Sequence, residues 1–194
     1  MKFLNFIKSR RSNRNFTSTE IDEDIINELL STAAQAPSSK NIQNWYFIVL
    51  KNEKKQEITD IVEKELENNF RKDSATCSIK RTCDIMRVAP VLILVFNKSP
   101  YLGGEKELLN NPTEDNLLYY NVEIQGVSAA IQNLLLAAHS FDLGSLWIAD
   151  ILFARKEIQK KLDCDYDLVA GVSIGYCDKK DNSIKDRKID ALFL

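Results

Sequence analysis

Three arginines stand within five residues near the start of the chain, in the stretch Ser9–Phe16 (SRRSNRNF). In an extended backbone, residues two apart project to the same side, which places Arg10, Ser12 and Arg14 on one face. Arg11 then faces the other way. Guanidinium groups donate paired, charge-assisted hydrogen bonds to phosphate oxygens. The spacing favours a phosphate-binding face, and a solvated basic turn is the alternative.

A second pair of basic residues repeats this spacing near the other end of the chain. Lys185 and Arg187 also stand two apart. A surface charge run is the common explanation for such a pair taken alone. Together, the two clusters predict one anion site built from both ends of the chain.

Polar side chains also gather in the segment 36–47, APSSKNIQNWYF. Ser38 and Ser39 can cap a helix, form a turn or donate to a ligand. Asn41 and Gln43 stand two apart, and each primary amide offers a donor and an acceptor. Such a pair suits the edge of a heterocycle that carries alternating carbonyl and N–H groups.

Composition narrows the class of protein. The 194 residues are 44% hydrophobic, which suits one domain, 1–194, around one sizeable core. A net charge of −2 gives no global basic field and argues against a nucleic-acid partner. The four cysteines form no CxxC pair, and no apolar run is long enough to span a membrane. We expect a cytoplasmic protein with reduced thiols, without a bound metal and without a membrane partner.

Hydrophobic periodicity predicts the elements that must position these residues. We expect a mixed α+β domain, a sheet flanked by helices. The predicted helices are 2–8, 21–34, a Lys/Glu-rich segment between the first two strands, 121–141 and 155–162. The predicted strands are 45–50, 89–96, GSLWIADI and YDLVAGVSIGYC.

Two segments lie outside this pattern. Residues 97–114 carry proline and glycine turn signals and are predicted to be mostly loop. The wider segment 97–120 is a candidate lid, in which Tyr101, Tyr119 and Tyr120 either touch substrate or are ordinary surface or core aromatics. The tail 182–194 ends in ALFL, so we expect it to pack on a second subunit.

Five motifs in chain order resemble the nitroreductase family of FMN-dependent oxidoreductases. They are RRSNRNF, APSSKNIQNWYF, LLLAAHSFDLGSLWI, VSIGY and a late KDR. The resemblance is weakest between residues 52 and 120. It implies an intertwined α+β homodimer with a central mixed or antiparallel sheet and an FMN site at each interface. It also implies ping-pong hydride transfer from NAD(P)H through flavin N5 to an electron-poor acceptor such as a nitroaromatic or a quinone.

The resemblance assigns roles residue by residue. The phosphate, ribityl chain and pyrimidine side of FMN fall to Arg10, Arg11, Ser12 and Arg14, with Lys185 and Arg187 completing the phosphate contacts. The segment that reaches the flavin of the partner subunit contains Pro37, Ser38, Ser39, Asn41 and Gln43. The backbone beside flavin N5 belongs to Ala149 and Asp150. No protein nucleophile is implied, because the flavin carries the chemistry.

The sequence departs from the family pattern at two positions. Asn44 stands where the family usually has proline before the tryptophan, which we expect to loosen the turn without removing a ligand group. Asp150 stands where glycine is common, and its carboxylate is expected to disfavour an anionic reduced ring or to narrow the range of substrates.

Three alternative functions compete with this one. A hydrolase needs a base, and the only histidine, His139, lies within an apolar helical run without triad or metal-ligand spacing. The second alternative is an FMN-binding or flavin-handling protein that has the same fold but little turnover. Steady-state NAD(P)H oxidation would distinguish it from the oxidoreductase. A purely structural dimer leaves both arginine-rich ends unexplained.

Overall fold

The computed structural model describes residues 3–69, 75–178 and 188–193. The helices in these ranges are α1 (Phe3–Ser9), α2 (Glu23–Ala33), α3 (Asn52–Asn69), α4 (Ala75–Val88), α5 (Glu105–Asn110), α6 (Glu114–Ser140) and α7 (Arg155–Leu162). The strands are β1 (Trp45–Leu50), β2 (Val91–Asn97), β3 (Gly144–Ile148) and β4 (Asp167–Gly175). Short 3₁₀ turns cover Ser39–Asn41 and Asp150–Ala154.

The four strands form one sheet in the order β1-β2-β4-β3, and all three neighbouring pairs are antiparallel. β1 and β3 are therefore the edge strands. The one parallel contact beside the described strands is an isolated bridge between Ser12 and Ser145, on the outer side of β3. Of the two sheet types expected, the antiparallel one is correct.

The central strand β2 divides the core into two halves. All seven of its residues are buried, and successive side chains point to opposite faces of the sheet. The odd-numbered side chains pack with α2 and α6, and the even-numbered ones pack with α3, α4 and α7. Helices therefore cover both faces of the sheet, and the predicted α+β class is confirmed.

The long helix α6 lies under the sheet and begins earlier than predicted. The side chain of Thr113 caps its first turn by accepting a hydrogen bond from Asn116 N at 3.2 Å. Its apolar surface extends from Val127 to Ala138 and is buried against α2 and the sheet. The broad apolar stripe was a sound predictor of a central helix.

The prediction that residues 97–114 are mostly loop is correct for ten of these eighteen residues, but it misses a short helix. Helix α5 occupies Glu105–Asn110, and α6 starts at Glu114, so the candidate lid 97–120 is largely helical. A carboxylate distant in sequence stabilises the start of α5, since Asp167 Oδ2 accepts a hydrogen bond from Glu105 N at 2.7 Å. The sequence around α5 cannot indicate this hydrogen bond, because the acceptor is a side chain on the distant strand β4.

Helix α1 has no buried residue. It is attached to α6 through the only histidine, His139, whose ring stacks on Phe6 with the ring centroids 4.8 Å apart. His139 Nε2 also lies 2.9 Å from Ser9 Oγ. These contacts give the histidine a structural role.

None of the described helices combines the length and the apolar composition that crossing a lipid bilayer requires.

Candidate active site

A cleft of about 600 Å³ lies between α4 and the end of β3. Its walls bring together three parts of the chain that are far apart in sequence. They are the N-terminal segment, helix α4 and the β3 end with the turn that follows. The lining residues are Arg14, Arg81, Thr82, Ile85, Leu146, Trp147, Ile148, Ala149 and Asp150.

The N-terminal segment reaches this cleft because it runs beside the edge strand β3. Ser12 forms the parallel bridge to Ser145, and Asn13 N donates a hydrogen bond to Ser145 O at 3.0 Å. Arg14 follows directly, is exposed to solvent and forms part of the cleft wall. One predicted arginine is thus placed at the cleft by backbone pairing.

The other arginines of the cluster lie differently. Arg11 turns back toward the end of α1, where Nη1 donates to Lys8 O at 2.7 Å and to Arg10 O at 2.9 Å. Its guanidinium therefore helps to terminate that helix. Arg10 and Ser12 lie along the same segment but are not among the residues that line the cleft.

Ala149 and Asp150 lie where β3 ends and the chain turns. Ala149 has helical dihedral angles (φ −88°, ψ −27°) and precedes the 3₁₀ turn Asp150–Ala154. Thr82 Oγ1 donates a hydrogen bond to Asp150 Oδ2 at 3.3 Å, which holds the carboxylate at the α4 wall. The predicted neighbours Arg14, Ala149 and Asp150 are therefore brought together.

The residues 37–43 form a second polar group, next to β1. Pro37, Asn41 and Gln43 are exposed, whereas Ser38 and Ser39 are half-buried. The segment is a tight turn rather than an extended strand, with left-handed φ at Asn41 (55°) and Gln43 (48°). Gln43 N donates to Ser38 Oγ at 3.0 Å, and Gln43 Nε2 donates to Asn41 Oδ1 at 3.2 Å. The two amides predicted to act together are in contact with each other.

Asn44, the departure from the family proline, anchors this turn. Its side chain is fully buried, and Nδ2 donates to Asn97 Oδ1 at 2.7 Å and to Glu123 O at 3.0 Å. Gly126 on α6 leaves room for it, because a Cβ there would lie 3.2 Å from Asn44 Oδ1. The expectation that asparagine loosens the turn is wrong, since these hydrogen bonds tie the turn to β2 and α6.

The two groups of predicted FMN contacts lie at opposite edges of the sheet. Arg14, Ala149 and Asp150 are beside β3, whereas Ser38–Gln43 immediately precedes β1. Three strand spacings of about 4.8 Å separate these edges, or about 14 Å. Within one chain they form two separate polar surfaces.

Lys185 and Arg187 lie outside the described residues, as does most of the tail 182–194. Residues 188–193 of that tail are described, and all are exposed in the single chain.

Sequence reasoning missed the contribution of α4. Arg81 and Thr82 precede Ile85 by four and three residues, so each shares a helix face with it. The three side chains form one wall of the cleft. Nothing in their local sequence marks them as ligand contacts, and they lie where the resemblance is weakest.

Across the ranges 3–69, 75–178 and 188–193, no group of three or more His, Cys, Asp or Glu is placed to hold a metal ion.

Comparison with solved structures defines the class of fold. A BluB-like flavoprotein from Clostridium difficile 630 matches with a TM-score of 0.73 and 28% identity, over 100% of this chain and 99% of that chain. An FMN-bound nitroreductase from Desulfitobacterium hafniense DCB-2 has the same fold, with a TM-score of 0.77 over 98% of this chain and 97% of that chain, at 22% identity. The chain therefore has a nitroreductase-like fold.

Sequence comparison identifies the family. The model of the nitroreductase family matches residues 7–176, so the chain belongs to that family. A Methanothermobacter thermautotrophicus protein provisionally named NADH dehydrogenase/NAD(P)H nitroreductase is 32% identical over 147 residues, covering 76% of this chain and 60% of its own length. An iodotyrosine deiodinase from Hydra vulgaris is 27% identical over 146 residues, or 68% of this chain and 51% of that protein. The match thus spans between half and two thirds of these relatives.

Proposed function

We propose that this protein is an FMN-dependent oxidoreductase that uses NAD(P)H as reductant and an electron-poor small molecule, such as a nitroaromatic or a quinone, as acceptor. Family membership supports an oxidoreductase. FMN, when bound, supplies the chemistry, because its N5 position takes up and releases hydride in the two halves of a ping-pong cycle. The chain's own residues bind the cofactor and position it.

One observation carries the proposal: a single cleft gathers Arg14 with Ala149 and Asp150, which follow it by 135 and 136 residues in the sequence. Its volume of about 600 Å³ falls within the usual range for small-molecule sites, about 300–1,000 Å³. Arg14 and Arg81 supply fixed positive charge for an anionic group of the ligand. The lining residues therefore fit a flavin mononucleotide. Arg10, Ser12, Lys185 and Arg187 are assigned to the phosphate by the proposal.

A second copy of the chain completes the site in this proposal. The separation of about 14 Å between the two sheet edges favours an arrangement in which Ser38–Gln43 of one subunit reaches the flavin of the other. Exposed apolar side chains at both ends of the described chain also favour a second copy, since Phe3 of α1 is 71% exposed and Phe193 of the tail is 94% exposed. Sedimentation at twice the 22.2 kDa chain mass is the expected result.

The test is a visible absorption spectrum of the purified protein before and after anaerobic addition of NADH, then NADPH. Flavin bands that bleach, and that return on addition of a nitroaromatic, are expected. A colourless protein that takes up no added FMN contradicts the proposal.

A flavin-handling protein with little turnover is the second candidate, and the carboxylate of Asp150 in the cleft wall favours it. Flavin bands that persist with both nicotinamides would support this alternative. Substitution of Asp150 by glycine, the residue common in the family, would then be expected to restore bleaching.

A further inference from the structure

A second cavity, of about 430 Å³, lies between the turn that follows Pro37 and the start of α6. It shares no lining residue with the cleft described above. Its walls consist mainly of aromatic and aliphatic groups. The lining residues are Ser39, Lys40, Tyr101, Leu118, Tyr119 and Val122.

One cation faces this apolar cavity. Lys40 supplies the only charged side chain among the lining residues, and none of them carries a carboxylate. Its Nζ lies 6.0 Å from the centre of the Tyr101 ring, at the limit of a cation–π contact. Lys40 adopts a left-handed φ of 49°, which is unfavourable for a residue with a side chain and is held here by the surrounding turn. Among the residues that the structure describes, the cavity therefore combines apolar walls with one positive charge and no lining carboxylate.

The two tyrosines form adjacent walls. Their ring centroids are 6.0 Å apart with an interplanar angle of 44°, and the exposed fractions of Tyr101 and Tyr119 are 37% and 49%. At this separation the two rings contact each other and form one aromatic wall, against which a planar ring can pack. Tyr120, the third candidate from the sequence, does not line the cavity; burial raises the pKa of its hydroxyl to about 12.

A fully buried carboxylate fixes the position of Tyr101. Glu123 Oε1 accepts a hydrogen bond from Tyr101 N at 2.7 Å. Its Oε2 accepts from Ser99 Oγ at 2.6 Å and from Asn97 Nδ2 at 3.1 Å. Because Glu123 lies one helical turn after Tyr119 on α6, both aromatic walls are held by the same helix. The cavity is therefore preorganised for its ligand.

We propose that this cavity binds an aromatic anion, with its ring packed against the wall formed by the two tyrosines and its carboxylate or phenolate on Lys40. The inference deepens the proposed function and rests on it, since the turn that carries Lys40 is the segment assigned to the flavin of the second copy. It names aromatic anions as the class of acceptor. Glu123 acts as a positioning residue for Tyr101.

The experiment compares 4-nitrobenzoate with its neutral isostere 4-nitrobenzamide by isothermal titration calorimetry on the protein as purified. We expect the anion to bind about tenfold more tightly than the amide, because one charge-assisted hydrogen bond separates them. Lys40→Gln should remove this preference by weakening 4-nitrobenzoate about tenfold and changing 4-nitrobenzamide less than twofold. Lys40→Arg should keep the preference, and Lys98→Gln, which removes a charge outside the cavity, should leave it unchanged.

The positioning role of Glu123 predicts a different pattern of affinities for the two probes. Glu123→Gln replaces one acceptor by a donor facing Tyr101 N or Ser99 Oγ, so it should weaken both probes by the same factor and leave their ratio unchanged. A purely structural role for Glu123 would leave both affinities at the wild-type values once the variant is folded.

Two results would overturn the inference: equal affinity for both probes in the wild type, or a preference that survives Lys40→Gln. The FMN content and the NADH bleaching of the same samples separate this outcome from failure of the proposed function. A yellow, reducible protein without the preference refutes the anion site alone. A colourless protein that shows the preference refutes the flavin function and keeps the anion site.

Discussion

Thr82 Oγ1 donates a hydrogen bond of 3.3 Å to Asp150 Oδ2 and so joins helix α4 to the turn after β3. Both residues line the candidate active-site cleft. The hydrogen bond holds the carboxylate against one wall of the cleft. A negative charge is consequently built into the site at a position where glycine is common in the family.

This charge should lower the reduction potential of bound FMN. Replacing Asp150 by asparagine removes the charge and keeps the size, so the midpoint potential should rise by on the order of 30 mV, or ~1.4 kcal/mol for a two-electron couple. Thr82→Val is the matched control, because it removes the hydrogen bond and keeps the carboxylate, and it should shift the potential much less. Spectroelectrochemical titration of the three proteins measures both shifts. A midpoint potential that is the same in Asp150→Asn and the wild type would show that the carboxylate does not act on the ring.

Arg14 should contribute to FMN affinity. A hydrogen bond to a charged group is worth about 1.5–3 kcal/mol, so Arg14→Gln should raise the Kd for FMN by about 10- to 100-fold. Lys80→Gln provides a control, because Lys80 lies on α4 beside Arg81 but does not line the cleft. Fluorescence titration of the apoprotein with FMN gives both constants. If the two variants lose affinity equally, the effect comes from overall charge and not from a contact of Arg14.

Asn44 should stabilise the folded state, although the family usually has proline there. Asn44→Ala removes two buried hydrogen bonds, to Asn97 Oδ1 and Glu123 O, and should lower the free energy of unfolding by about 2 kcal/mol. Asn44→Pro should cost more, about 3 kcal/mol or above. Proline favours an extended conformation in the residue before it, whereas Gln43 has a φ of 48°.

Urea unfolding of both Asn44 variants tests this prediction. Asn121→Ala is the control, because Asn121 is exposed on α6 and its loss should change stability by less than about 0.5 kcal/mol. A proline variant as stable as the wild type would mean that the turn adopts the family conformation without the hydrogen bonds of Asn44.

Asp167 should make stability depend on pH. Burial is the main cause that raises the pKa of this carboxyl above its ordinary value. A carboxyl with a raised pKa in the folded state opposes folding when ionised, and this cost disappears as the pH falls below the unfolded value near 4. Asp167→Asn removes the cost and keeps an oxygen to accept from Glu105 N. The variant should unfold at a higher temperature than the wild type at pH 7, with a difference that shrinks toward pH 4.

Thermal unfolding at several pH values measures this difference. Asp167→Ala serves as the comparison, because it also loses the cap of α5 and should be less stable by about 1 kcal/mol near neutral pH. A difference between Asp167→Asn and the wild type that does not vary with pH would exclude the ionisation of Asp167 as its cause.

The sequence by itself determined the elements whose signals are local and the family to which they belong. The apolar run 45–50 is strand β1 and the charged segment 155–162 is helix α7, at the predicted bounds. Both rest on periodicity and on flanking turn residues, which need no distant partner. Arg14, Ala149 and Asp150 could be named together because their motifs are continuous stretches of sequence.

Only the tertiary structure decided which residues line the two cavities and which polar groups hold those residues in place. Thr82 meets Asp150 across 68 residues, and Asn44 meets the backbone of Glu123 across 79 residues. Helix α5 likewise depends on Asp167, which is 62 residues away. A buried polar group needs a partner, but its own sequence neighbourhood does not specify which residue supplies it. The partner is chosen when the packed sheet and helices bring distant segments together, and this is why the walls of the site emerged only from the fold.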